Sequence, residues 1–88
     1  KYFLGGAVMD TRVALIGIIV SNPDSVESIN KLLHSYSGHI IGRMGIPYRK
    51  KNISIISVAV DAPNDIVSAL AGKLGQLDGV STKTIYNE

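Results

Sequence analysis

Side-chain chemistry in this 88-residue chain concentrates in four places: two histidines, one basic cluster and two short turn-rich stretches. His34 and His39 stand five residues apart across Gly38. That spacing lacks the i, i+4 geometry with which one helix presents two imidazoles to a metal, and no third ligand lies nearby. Solvated histidines are the simpler reading; a metal shared between subunits is the alternative. Arg43, Arg49, Lys50 and Lys51 form the one concentration of cations. They suit phosphate, nucleic acid or an acidic ligand, or a charged hairpin that stops an edge strand from pairing with other chains. Ser21, Asn22, Pro23 and Asp24 read as a helix entry, with Asn22 as cap and Pro23 at the first helical position. Free backbone N–H groups there can hold a carboxylate or phosphate, and the same residues also make an ordinary cap. Gly42, Arg43, Met44, Gly45 and Tyr48 lie in the least ordinary stretch, GRMGIPY. Two glycines inside a strand mark a bulge or a close backbone approach. Arg43 shares a strand face there with Ile41 and Gly45, so its guanidinium would cross a surface of little bulk. A ligand or subunit contact fits, and so does a plain irregular edge.

Several chemistries are excluded by composition. There is no cysteine, which removes disulfides, thiolate metal sites and iron–sulfur ligation together. No phosphate-cradling glycine loop with its lysine and no nucleophile paired with a base is visible. The two most apolar segments carry no Phe, Tyr or Trp on which RNA bases could stack. The expectation is therefore a protein that is not an enzyme, with no cofactor and no metal site. A net charge of +2 is too small to argue for nucleic acid, despite a pI near 9.1.

These residues are positioned by a repeated pattern. Residues 13–20 (VALIGIIV) and 53–60 (ISIISVAV) are apolar on both alternating faces, as strands covered on two sides are. Each run leads into a proline turn, with Pro23 and Pro63 in register, and then into an amphipathic segment. In the first, Val26, Ile29, Leu32, Leu33 and Tyr36 share a helical face, and Gly38 is placed to end the helix. In the second, Ile66, Val67, Leu70, Leu74 and Leu77 do so, with Gly72 and Gly75 weakening its end. Residues 39–46 and 80–86 complete the set as shorter strands, and 47–52 are a polar connection of hairpin length. The expected fold is α+β: a ferredoxin-like β-α-β-β-α-β sandwich with a four-stranded antiparallel sheet and both helices on one face. The two apolar runs belong at its centre.

Residues 1–11 form a lead segment, expected to be poorly ordered, and 12–88 the single domain. The lead is too short to span a bilayer and lacks signal-peptide features, so a cytoplasmic protein without a membrane role is expected. Met9 would serve as a natural start. Helices on one face leave the other apolar face open, and 45% hydrophobic content is high for a small monomer. Self-association through that face or an edge is expected, as a homo-oligomer; the alternative is that residues 1–8 fold over the face.

Residues 40–48, followed by 54–58 and 61–65, carry a further signal: this combination resembles the iron-only hydrogenase system regulators, small bacterial proteins with an ACT-like form of the ferredoxin-like fold. The similarity runs from about Arg12 to Tyr86, and the GRMGIPY string is its most specific part. The resemblance implies a non-enzymatic regulatory or sensor module acting as a dimer or tetramer, with a small-molecule ligand at the subunit interface. It also implies a protein partner in transcription or hydrogenase maturation. ACT-like modules hold their ligands at the turn after the first strand, which here is Ser21, Asn22, Pro23 and Asp24. More distantly the chain is similar to the C-terminal domain of nickel-responsive repressors. That domain binds metal through histidine and cysteine, a set this chain does not supply. The alternatives are a ligand-free structural module of a maturation complex and, more weakly, direct nucleic-acid binding by the basic hairpin.

Overall fold

The computed structural model describes residues 2–4 and 7–87. Two three-residue strands, β1 (Tyr2–Leu4) and β2 (Ala7–Met9), pair antiparallel as a ribbon of their own. The main sheet comprises β3 (Arg12–Val20), β4 (Ile40–Tyr48), β5 (Ile53–Ala62) and β6 (Val80–Tyr86), in the spatial order β4-β5-β3-β6 with every neighbour antiparallel. Helix α1 (Val26–Ser35) lies between β3 and β4 in the chain, and α2 (Asn64–Gly75) between β5 and β6. This is the expected ferredoxin-like α+β arrangement, with the two apolar runs as the central pair. Among the described residues no helix is long and apolar enough to cross a membrane.

The core follows from strand alternation. Ala14, Ile16, Ile18 and Val20 of β3 and Val58, Val60 and Ala62 of β5 are buried, and they meet Ile29 and Leu33 of α1 and Val67, Leu70 and Leu74 of α2. Both helices therefore cover the same face, and each presents the stripe its periodicity predicts. Polar groups inside are satisfied: among the described residues, no buried side-chain nitrogen or oxygen lacks a hydrogen-bond partner.

Three local readings change. Gly38 is not a left-handed helix end: α1 stops at Ser35 and the chain passes through a 3-10 turn at Ser37–His39. The Tyr36 N–H bonds back to the Leu32 carbonyl at 3.2 Å, closing the last turn without a left-handed residue. The proline turn of the first repeat opens a 3-10 turn, Pro23–Ser25, before α1 proper begins. The second repeat enters α2 directly, with Pro63 as cap. Finally, β4 runs on through Pro47 and Tyr48, which pair with Ser54 and Ile53. An edge strand tolerates a proline because its missing N–H can face away from the ladder. The connection shrinks to a 3-10 turn at Arg49–Lys51 closed by Asn52 in the left-handed region.

Candidate ligand and subunit-contact sites

The Ser21–Asp24 turn is held from outside by the turn that precedes β6. The Ser21 N–H and hydroxyl both donate to the Gly79 carbonyl, at 2.8 and 3.1 Å. Asn22 works in two directions: its Oδ1 accepts from the Asp24 N–H at 3.0 Å, and its Nδ2 donates to Asp78 Oδ2 at 2.6 Å. The Ser25 hydroxyl, buried beneath, donates to the Asp78 carbonyl at 2.6 Å. Asn22 is thus the helix cap that its type and place before Pro23 predict. The same side chain also ties two turns together across the end of the sheet. Asp78 and Gly79 were missed from sequence; the signal was an Asp-Gly pair directly before a strand, an ordinary turn mark.

A bulge decides the geometry of the 42–48 string. Ile40 pairs with Val60 and Gly42 with Ala59, so one residue, Ile41, is extra. The alternation that would link Ile41 to Arg43 is broken there. Below the bulge Arg43 faces the helices opposite Val58, and its Nη2 donates to Asn30 Oδ1 of α1 at 3.2 Å. Gly42, Met44 and Ile46 pair with Ala59, Ser57 and Ile55 on the uncovered face instead. The sequence-adjacent candidates are thus divided between two surfaces. Arg43 also stands apart from the basic turn, since six residues of extended chain to Arg49 span roughly 20 Å. The four cations do not form one patch.

Other candidates converge at the hairpin end of the sheet. A cleft of about 130 Å³ has Val20, Pro23, Pro47 and Ile53 as apolar lining and Tyr48, Arg49, Asn52 and Ser54 as polar lining. It joins the turn after β3 with the β4–β5 hairpin. A second groove, about 380 Å³, runs between α1 and β4 and is lined by Asn30, Leu33, His34, Ser37, Ile40 and Arg43. His34 sits in the last turn of α1 and is exposed, as expected. His39 belongs to the 3-10 turn just before β4, and its N–H donates to the Tyr36 carbonyl. Among the described residues no group of three His, Cys, Asp or Glu side chains is placed to hold a metal ion.

Arg43→Ala is expected to lower protomer stability by less than about 1 kcal/mol, because its bond to Asn30 is exposed. As a ligand or subunit contact, its loss should alter assembly mass or ligand response well beyond that cost. Unchanged native mass and ligand response would remove Arg43 from the contact set.

The uncovered face of the sheet is largely hydrophobic. Val13, Leu15 and Ile19 of β3, Ile55 of β5, Met44 and Ile46 of β4 and Ile85 of β6 are all exposed, from 39% for Ile55 to 67% for Ile85. Gly17 and Ser57 pair at its middle and leave a depression flanked by Ile19 and Ile55.

Comparison with known proteins agrees with this architecture. The family model described as TM1266-like, iron-only hydrogenase system regulator, matches residues 12–84. The solved structure of the uncharacterized protein TM1266 from Thermotoga maritima superposes with a TM-score of 0.86 at 36% sequence identity, covering 90% of this chain and 100% of that one. No curated protein matches. The fold and the family expected from residues 40–65 are both borne out. With most of its length matched by that model, the chain belongs to the TM1266-like family, which is named for regulation of an iron-only hydrogenase system.

Proposed function

We propose that the protein is a non-enzymatic regulatory module of an iron-only hydrogenase system, working as a homo-oligomer whose assembly responds to a small ligand. The family name supports the regulatory role. The observation that carries the ligand reading is the cleft at the hairpin end, where Pro23 and Tyr48, from the two turn-rich candidate stretches, line one cavity beside Arg49. Its polar groups favour a small anion: a guanidinium, an amide, a phenol and a hydroxyl, with no carboxylate among the lining residues. Ser21, Asn22 and Asp24 act from behind, holding the turn that presents Pro23. Ligand binding at this end would shift assembly only by contacting one arrangement of subunits better than another. Any effect on transcription or maturation passes through a protein partner.

A thermal-shift screen of amino acids, nucleotides, small carboxylates and divalent metals, read beside native mass spectrometry, tests the proposal. A ligand that binds the folded protein and not the unfolded chain raises the melting temperature, by an amount that grows with ligand concentration. The expected result is a shift from an anionic class that Arg49→Ala abolishes while the unliganded melting point stays within a few degrees. No shift from any class would replace the sensor with a ligand-free structural module.

A further inference from the structure

We infer that the surface joining the subunits is the uncovered face of the sheet, stacked on the same face of a second copy, rather than a strand edge. This rests on the homo-oligomer proposed above and specifies how it is built.

Area comes first. Four strands of 7–10 residues, at about 3.3 Å per residue and about 4.8 Å between strands, make a face of roughly 500 Å² in projection. Stacking two such faces buries on the order of 1,200 Å² in total, the lower bound of stable, specific interfaces. A monomer rarely leaves a contiguous apolar patch of this extent in water. The ribbon formed by β1 and β2 does not remove the need, because Leu15, Ile19, Met44 and Ile85 remain exposed with it in place.

Charge points to a second copy as the occupant. The charged residues on this face of the sheet are Lys83, which pairs with Gly17, and Asp61, which pairs with Val13. One cation and one anion make the face formally neutral, so two copies meet without an excess of like charge. An acidic or basic partner would find no complementary field there. The cations Arg49, Lys50 and Lys51 sit in the turn beyond the end of β4, away from the hydrophobic middle.

The β4 edge is guarded. Strand β4 is interrupted by the bulge at Ile41 near one end and by Pro47 near the other, leaving only a short stretch for a continuous ladder with another chain. Pairing along either edge would also leave Leu15, Ile19 and Ile55 in water. Stacking the faces covers them.

Native mass spectrometry of wild type, Leu15→Glu and Ile19→Glu at about ten micromolar tests the assignment. Both side chains are exposed in the protomer, so the variants keep the wild-type circular dichroism. The expected result is an oligomer for wild type and at least a tenfold loss of it in each variant. Because the chain has no cysteine, Ser57→Cys supplies a second reading in an otherwise unchanged protein. A thiol at that central position should react with a bulky maleimide at least tenfold more slowly in the oligomer than after dilution to monomer. Charge variants that keep the wild-type mass, or a thiol equally reactive in both states, would overturn the stacked face and leave an oligomer built through other surfaces. A wild-type monomer would overturn the oligomer itself.

Discussion

Replacing Gly79 with alanine is expected to lower the melting temperature by roughly 12–24 °C, although it adds only one methyl group to an exposed turn. Gly79 has φ +69°, which costs an L-residue about 1–2 kcal/mol. A Cβ there would stand 2.7 Å from Asn22 Cβ, 2.9 Å from the Asn22 nitrogen and 3.0 Å from Ser21 Oγ. Two of those atoms belong to or adjoin the backbone and cannot swing aside. The β3–α1 turn would have to retreat, stretching the bonds from Ser21, Asn22 and Ser25 to the Asp78–Gly79 turn. Strain and lost bonds together amount to about 3 kcal/mol, among the larger effects a single substitution produces. Differential scanning calorimetry reads it directly. A loss below about 1 kcal/mol would mean that the two turns part easily, and the latch would carry little stability. Asn22→Ala combined with Gly79→Ala should cost less than the sum of the two, because both act on the same contact.

The second large effect separates the two faces of one strand. Ile16→Ala should cost about 2–5 kcal/mol, since Ile16 is fully buried beneath the helices and its removal leaves a cavity. Ile19→Ala, three residues along and on the open face, should cost less than about 1 kcal/mol in the isolated protomer. Denaturant titration at several protein concentrations distinguishes the two. The Ile16 loss should be independent of concentration, while the Ile19 loss should grow as wild type gains stability from assembly. An Ile19 loss that stays below about 1 kcal/mol at every protein concentration would mean that Ile19 meets no partner.

Much of the fold was legible because its signals are local and periodic. Alternation in residues 13–20 and 53–60 sorted Ile16 and Val58 onto one face and Leu15 and Ile55 onto the other, and the burial pattern keeps that division while packing decides that the first face is the core. Helical spacing picked out Ile29, Leu33, Val67, Leu70 and Leu74, all of which are buried. Less of the candidate site was legible. Gly42 and Gly45 marked a bulge or a close approach, but where the bulge falls is set by pairing with β5, so alternation counted from Ile41 fails at Arg43. The bond from Asn22 to Asp78 spans 56 positions, beyond the reach of any spacing rule.

The sequence by itself determined the class of fold, the central pair of strands and the helix residues that enter the core. Those depend on residue type and on a period of two or 3.6, both of which are written along the chain. Only the tertiary structure decided which surface each candidate residue occupies. Pairing β4 with β5 sent Arg43 toward α1 and Met44 to the open face, and folding the hairpin back brought Tyr48 and Arg49 beside Pro23. Contacts between distant segments arise from register and packing, which the chain acquires only when its strands meet.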